Sequence, residues 1–408
     1  MKFLFNYQSQ GIAFGDWITL LTLCLAPVVA HILAGTPSPV IFSTRPPRWM
    51  NRIGHYNPTS IIWRYFVIFD RRMRCRNWTV SDLAATNAHF WVDNAWDGSE
   101  EMMLRSRGFS SHLPDRSYVH ALSGSAIKTI IVALQGAQAL YSVIAAQFTA
   151  EYLGNTSLAT VFLPLAILGL LRLPAAPWIS DDWVYSNDCA MDIRPRSKKP
   201  EAGNFDEKVP LEELTASRSS TLDVTPLEDE AIAGRFRSSK GPIGILTRVV
   251  YLTINLALAG YATYQAAPVA DGQMSATLYA QIIFFAILFI STSFISAFYF
   301  LGGKSKTTII PCIDSPWYKA YTALIFLGMI LLITLGAIET RKTWCGEWTT
   351  YPLTVPGHPD QVFNFCGPAF FLRTSNLTVS DANHNRTISL SNFDGVLSGN
   401  WSFVNGIL

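Results

Sequence analysis

Six apolar stretches constrain the fold of this chain more than any other feature. Each approaches the length of about 20 residues that an α-helix needs to cross the hydrocarbon core of a bilayer. They occupy residues 17–33, 129–148, 158–171, 243–264, 277–301 and 320–338. The third is short and contains Pro164, so it needs flanking residues to reach across. The pattern predicts an all-α membrane protein with about six transmembrane helices.

The composition agrees with a membrane location and indicates no cofactor. Half of the 408 residues are hydrophobic and only 15% are charged, well below the roughly 25% of soluble domains. The net charge of +2 gives no reason to expect a nucleic-acid partner. The six cysteines form no CxxC pair and show no zinc-ligand spacing, so we expect neither a metal site nor a bound cofactor. The lipid bilayer is the expected partner, along with other membrane or pathway proteins.

The distribution of Lys and Arg predicts an orientation, because cytoplasmic loops are enriched in both. Segment 35–125 holds eleven Arg and 174–242 is also basic, whereas 149–157 and 266–276 contain no Lys or Arg. We therefore predict that the first two segments are cytosolic. The N-terminus and the tail 339–408 are then extracytosolic, in an endomembrane or the plasma membrane.

These predictions divide the chain into six segments. They are an N-terminal span (1–34), a cytosolic Arg-rich helical region (35–125), the second and third spans (126–173), a cytosolic and largely disordered linker (174–242), the fourth to sixth spans (243–338) and a glycosylated extracytosolic tail (339–408). The linker prediction depends on residues 190–240, which contain too little apolar surface to fold. The first span could instead be a cleaved signal peptide, but Asp16 at its start favours a retained helix.

Asn-x-Ser/Thr triplets mark the expected extracytosolic surface. Asn376, Asn385 and Asn400 lie in the tail and Asn155 lies in a loop predicted on the same side, so we expect glycosylation at all four. Asn77 heads a triplet of the same form in the predicted cytosolic region and should stay unmodified.

Two cysteines lie in the predicted extracytosolic tail. Cys345 and Cys366 are the only cysteines in such an exposed segment, and an oxidising compartment favours a disulfide between them. Two unpaired thiols remain the alternative.

The stretch "IIWRYFVIFDRRMRCR" at 61–76 joins an apolar run to Arg71, Arg72, Arg74 and Arg76. It is too short to cross a bilayer. Its basic end suits anionic headgroups, which predicts a helix on the membrane surface. Burial in a small cytosolic domain explains the same pattern and stays open.

A possible chemical site follows in the next stretch. Thr79 and Asp82 have the spacing of a capping box at a helix start. If that helix continues, His89, Asp93 and Asp97 share one face, which makes them candidates for acid–base catalysis. A solvated helix face with a structural histidine is the plainer interpretation.

No ionisable residue lies deep within a predicted span. Five lie near span ends, where we expect them to extend toward the headgroups: Asp16, Lys128, Arg172, Arg248 and Glu339. This disfavours a proton-coupled transporter or an ion pump, but not a carrier of apolar molecules.

Three phrases carry a resemblance: "GDWITLLTLCLAPVVAHILAG", "HYNPTSIIWRYFVIFDRR" and "WDGSEE". They resemble a group of uncharacterised multi-pass membrane proteins of filamentous fungi, some encoded in specialised-metabolite gene clusters. The likeness covers roughly the first hundred residues and includes no catalytic motif. It implies a fungal membrane protein attached to a metabolite pathway.

Three functions remain open on the sequence. The leading hypothesis is a non-enzymatic accessory or transport component of a metabolite pathway. The second is a membrane enzyme whose chemistry lies in 35–125. The third is a receptor-like surface protein that binds a ligand through its tail. No motif indicates a substrate.

Overall fold

The computed structural model describes residues 2–4, 7–37, 39–112, 124–148, 156–180, 183–185, 234–264, 273–343 and 346–352, with five short strands between 354 and 388. Within these ranges the chain is mostly helical. Ten α-helices occur there in chain order. They are α1 (Phe14–Gly35), α2 (Trp49–Arg52), α3 (Pro58–Arg74), α4 (Val80–Asn87), α5 (Glu100–Arg105), α6 (Gly124–Phe148), α7 (Leu163–Gly169), α8 (Pro242–Tyr264), α9 (Ala276–Leu301) and α10 (Pro316–Glu339).

Four of these helices are long and apolar enough to cross a membrane by length and composition: α1, α8, α9 and α10. They coincide with the predicted first, fourth, fifth and sixth spans. Helix α6 covers the predicted second span and is 25 residues long, but it is not among the four. The third predicted span is broken into a 3₁₀ turn at Leu158–Thr160, α7 and a second 3₁₀ turn at Leu170–Arg172.

Helix α3 is buried within the main hydrophobic core rather than lying on a surface. Ile62, Trp63, Phe66 and Val67 pack there with residues of α1, α8, α9 and α10. The helix begins where Asn57 caps it, since the Asn57 side chain accepts a hydrogen bond from the Thr59 N–H at 2.9 Å. The predicted membrane-surface helix at 61–76 is therefore wrong, and α3 is buried, but among the apolar helices rather than in a small domain of its own.

One end of the bundle is joined by contacts among segments distant in sequence. Gln8 N–H donates to the Ile338 carbonyl at 3.1 Å, and Thr350 N–H donates to the Thr156 carbonyl at 2.7 Å. Leu158 N–H donates to Thr340 Oγ1 at 2.9 Å. These contacts define the Glu339 end, which gathers the start of α1, the 3₁₀ turn at 158 and the end of α10.

The opposite end is held around Arg172, which is 1% exposed. Its guanidinium donates to the Ala34 carbonyl at the end of α1 and to the Ser125 carbonyl at the start of α6, the latter at 3.3 Å. It also donates to Thr129 Oγ1 at 2.8 Å. We call this the Arg172 end.

Short paired strands occur beside the helices, so the chain is mostly helical rather than all-α as predicted. A three-stranded sheet pairs β2 (Pro39–Ile41) in parallel with β3 (His89–Val92), and β3 in antiparallel with β4 (Ala95–Asp97). The remaining strands are β1 (Lys2–Leu4), β5 (Ser110–His112), β6 (Trp183–Tyr185), β7 (Gln273–Ser275), β8 (Arg341–Lys342), β9 (Trp348–Thr349), β10 (Thr354–Val355), β11 (His358–Phe363), β12 (Phe371–Arg373), β13 (Leu377–Asp381) and β14 (His384–Ile388). They pair as β1–β7, β5–β6, β8–β9, β10–β11–β12 and β13–β14.

The end of the predicted disordered linker has a defined position. Arg76 N–H donates to the Arg235 carbonyl at 3.0 Å, and Arg237 N–H donates to the Arg74 carbonyl at 2.9 Å. Between them Cys75 and Phe236 form an antiparallel bridge. The prediction of disorder through residue 240 is therefore wrong for this last part, while 186–233 lies outside the described residues.

Candidate functional site

The structure does not bring His89, Asp93 and Asp97 onto one helical face. Helix α4 begins at the predicted Thr79–Asp82 capping box, which is confirmed, but it ends at Asn87. The chain then turns extended, with His89 on β3 and Asp97 on β4. Asp93 occupies the turn between these strands. The shared helical face is thus wrong, because a hairpin replaces the helix.

That hairpin has a two-residue loop whose backbone explains its sequence. Asp93 and Asn94 have φ values of 48° and 66°. Two consecutive positive φ values match a type I′ turn, which favours Asn, Asp and Gly because other residues are strained there. The Asp-Asn pair between the apolar runs 90–92 and 95–96 signals this turn, and the four-residue spacing of His89, Asp93 and Asp97 obscures it.

His89 instead meets a histidine that the sequence did not single out. Its Nδ1 lies 3.0 Å from Nδ1 of His55, and both rings are buried. His55 comes from a 3₁₀ turn at Ile53–Tyr56, just before α3. The edge of Trp96 on β4 packs against His55 with ring centroids 4.3 Å apart. No local spacing predicts this pair, because its members are 34 residues apart.

The contact fixes the protonation pattern of the pair. A hydrogen bond between two Nδ1 atoms needs one protonated and one bare nitrogen, so the neutral rings hold opposite tautomers. One ring then carries its proton on Nε2 and the other has a bare Nε2. Neither Nε2 finds a hydrogen-bond partner among the residues that the structure describes.

Burial keeps both histidines neutral at ordinary pH. Burial, followed by the charges of Arg64 and Arg52, lowers the pKa of His55 to about 3. Burial, followed by the neighbouring His55 and by Arg64 and Arg71, holds the pKa of His89 well below its usual value. No carboxylate is among the causes that shift either pKa, so the local electrostatic environment is positive.

Both histidines line a small pocket at the Arg172 end. Its lining residues are Pro37, Pro39, Arg52, His55, Tyr56, His89 and Trp96. Arg52 and Tyr56 are half-buried, and within the described chain neither side chain makes a hydrogen bond or ion pair. Trp96 is held in place, since its indole N–H donates to the Asn51 carbonyl at 2.9 Å. The pocket therefore presents unused hydrogen-bonding groups beside an uncompensated positive charge.

The pocket is poorly suited to a metal ion. Over the described ranges, no group of three or more His, Cys, Asp or Glu side chains could hold one. The guanidinium of Arg52 would also repel a cation placed between the rings. Neutral imidazoles beside an arginine suit an anion or a polar neutral group better.

Of the predicted basic cluster, Arg71 and Arg74 are buried, as is Arg64 earlier in α3, whereas Arg72 is half-buried and Arg76 is exposed. Arg64 donates to the Gly35 carbonyl at 2.6 Å and to the Asn87 carbonyl at 3.1 Å. Arg71 donates to the carbonyls of Gly98 and Lys306 at 2.7 and 3.0 Å. Both side chains are buried, so they hold loops to the helix and do not reach a membrane surface.

Arg74 completes this set of buried arginines. Its Nε donates to Asp70 at 2.7 Å, and its remaining groups contact Glu100 and the Arg237 carbonyl. Asp70 is fully buried, and burial raises the pKa of its carboxyl despite the opposing Arg74 charge. Through its contacts with Glu100 and with the Arg237 carbonyl, Arg74 therefore links α3 to α5 and to the segment that follows the linker.

Three charged residues near span ends are buried, against the expectation that they extend toward the headgroups. Glu339 is 0% exposed and accepts hydrogen bonds at the start of α9, and Arg172 is enclosed by α1 and α6. Arg248 is also buried and contacts Ser305 Oγ. Hydrogen-bonding groups inside the fold therefore solvate these charges in place of lipid headgroups.

Several predicted sites fall outside the described residues. These are Asn155, Asn376, Asn400, Cys345 and Cys366. Asn385 lies on β14, and Asn77 is exposed directly after α3. The cysteines that the described ranges do include, Cys24, Cys75 and Cys312, are buried and free.

Comparisons with known proteins identify no relative. No family model, curated protein or solved structure matches this chain.

Proposed function

We propose that this chain is a multi-pass membrane protein that serves a specialised-metabolite pathway as a non-enzymatic accessory component. The observation that carries the proposal is the burial of α3 among the apolar helices, with Arg64, Arg71 and Arg74 holding the surrounding loops. The described part of 35–125 and the apolar helices consequently pack together. This packing offers pathway proteins a fixed surface beside the bilayer. The pathway itself is inferred from the resemblance to fungal proteins.

The proposed topology has six spans. Helices α1, α6, α8, α9 and α10 cross, and the broken stretch 158–172 completes the set with its flanking residues. The Arg172 end faces the cytosol and the Glu339 end faces away from it. Two independent observations support this: the charge distribution, and the contacts that join segments expected on the same side.

A deletion strain tests the proposed role. We expect loss of the chain to change metabolite yield, export or self-resistance, and expression of the full-length chain to restore the parental profile. An Arg71→Lys variant gives a matched comparison, because it disturbs the buried arginine contacts and keeps the charge. Unchanged yield, export and self-resistance after deletion would contradict the proposal.

A membrane enzyme acting through 35–125 is the second candidate. The buried His55–His89 pair at a pocket is the observation that favours it. Replacing both histidines with Gln should then abolish product formation while the protein still reaches the membrane. Asp93→Ala with Asp97→Ala is the matched variant, since these acids lie on the same hairpin away from the histidine contact. Intact product formation in both variants would exclude this site.

A further inference from the structure

The pocket around the histidine pair contains more hydrogen-bond donors than the protein uses. Arg52 contributes a guanidinium with five N–H groups, Tyr56 a hydroxyl, and the histidine pair one Nε2–H. None of these groups has a partner among the residues that the structure describes, and the Nε2 atoms of both histidines are buried without one. A buried donor without a partner costs free energy, and the half-buried Arg52 and Tyr56 line the same pocket, so the site suits a ligand rich in acceptors.

The electrostatics indicate that this ligand is negatively charged. Arg52 and Arg64 lie close enough to His55 to lower its pKa, and no carboxylate offsets them there. Arg64 is committed to the Gly35 and Asn87 carbonyls, whereas the Arg52 side chain has no such commitment within the described chain. Arg52 is therefore the group available to pair with an incoming anion.

The position of the pocket relates it to the membrane boundary. Pro37 lies two residues beyond the end of α1, and Lys319 in the first turn of α10 donates to Asn51 Oδ1 at 2.8 Å. On α2, immediately before Arg52, Trp49 and Met50 are 72% and 50% exposed. Exposed Trp beside the ends of two apolar helices is typical of the headgroup layer.

We propose that Arg52, Tyr56 and the His55–His89 pair form a binding site for a terminal phosphate group, either free or as a monoester. An arginine fork binds two phosphate oxygens, and the tyrosine hydroxyl and the single Nε2–H supply donors for a third. The group comes either from the headgroup of an anionic lipid such as phosphatidic acid or from soluble phosphate. The exposed Trp49 and Met50, on the helix that ends at Arg52, favour the lipid source. The site is independent of the accessory role proposed above.

Binding to the purified full-length protein tests the site. Titration with inorganic phosphate in detergent measures the soluble source. Reconstitution into nanodiscs of phosphatidylcholine, with and without phosphatidic acid, measures the lipid source through the unfolding temperature. We expect at least one arm to show saturable binding or stabilisation, and the arm that does so identifies the source.

Three variants decide whether the proposed residues are responsible. Arg52→Gln should weaken binding by about tenfold or more, since it removes a charge-assisted hydrogen bond. Tyr56→Phe should weaken it by about two- to tenfold, since it removes a neutral one. Arg48→Gln is the control, because Arg48 is an exposed arginine at the start of the same helix and outside the pocket lining.

Two results would overturn the proposal. One is the absence of binding or stabilisation in both arms with a folded, monodisperse protein. The other is an equal loss in Arg52→Gln and Arg48→Gln with no effect of Tyr56→Phe, because general attraction to a basic surface would produce that pattern.

Discussion

The carboxylate of Glu339, at the end of α10, accepts two hydrogen bonds from Thr277, from its N–H at 2.8 Å and its Oγ1 at 2.7 Å. Thr277 lies in the first turn of α9, where unpaired N–H groups and the helix dipole favour a negative charge. Ala276 N–H approaches the same carboxylate at 3.3 Å. The buried carboxylate of Glu339 thus links the C-terminal end of α10 to the N-terminal end of α9.

Glu339→Gln should therefore destabilise the protein by about 1–3 kcal/mol, because the amide carries no charge for the start of α9. Thermal unfolding in detergent measures the effect as a lower Tm. Glu347→Gln is the control, since Glu347 is exposed at the same end of the bundle. Equal Tm values for the two variants would contradict the proposed contribution of Glu339.

Arg71→Lys tests whether the α3 arginines stabilise the fold or bind lipid. Lysine keeps the charge, but it is shorter and lacks Nη2, which donates to both the Gly98 and Lys306 carbonyls, so we expect a loss of about 2 kcal/mol or more. The exposed Arg76→Lys should have little effect on Tm. If Arg71→Lys leaves Tm unchanged, the carbonyl contacts do not contribute as described.

The hairpin at Asp93–Asn94 gives a test in which the sign of the effect matters. Asn94→Gly should leave stability unchanged or raise it by up to about 1 kcal/mol, because glycine adopts positive φ without strain. Asn94→Val should lower it by about 1–2 kcal/mol. Asn94 is exposed, so neither change alters core packing. A helix through these residues would give the opposite order, with Gly the more damaging of the two substitutions.

Acidification should destabilise the fold through the buried histidine pair. The pKa of His55 is about 3 in the fold, against 6.5 as its ordinary value. Between those values the unfolded chain binds more protons, so the free energy of unfolding falls as the pH falls. From pH 7 to pH 5 the loss from His55 approaches about 2 kcal/mol, and the lowered pKa of His89 acts in the same direction. A His55→Gln, His89→Gln double variant should show a shallower decline in Tm, and an unchanged decline would contradict this origin.

Glycan mapping tests the proposed orientation. We expect occupancy at Asn155, Asn376, Asn385 and Asn400 and none at Asn77. Because Asn77 is exposed, burial cannot explain its lack of a glycan, which would then report the side of the membrane. Mass spectrometry of the protein from its native secretory pathway gives the answer. A glycan on Asn77 with none on the other four would reverse the orientation.

The sequence predicts the structure most accurately where one physical requirement acts along a continuous segment. The predicted spans 17–33, 277–301 and 320–338 lie within α1, α9 and α10, because sustained apolarity determines such helices locally. The Thr79–Asp82 helix start was also predicted, since a capping box involves residues only three apart.

Features that depend on distant contacts could not be predicted in the same way. His55 meets His89 only because β2 and β3 pair and α3 follows the 3₁₀ turn at 53–56. The arginines of α3 look like a surface cluster in sequence, and nothing local shows that backbone carbonyls surround them. At Asp93 the four-residue spacing of His89, Asp93 and Asp97 predicts a helix. The structure instead follows the turn preference of the Asp93–Asn94 pair.

The pairing of Arg74 and Arg76 with residues 235–237 has a consequence for how this chain tolerates change in length. The chain leaves the described fold after β6 and returns to it at that pairing, and contacts outside residues 186–233 hold both attachment points. A change in the length of 186–233 therefore leaves the strand pairing at β6 and the backbone hydrogen bonds of residues 235–237 in place.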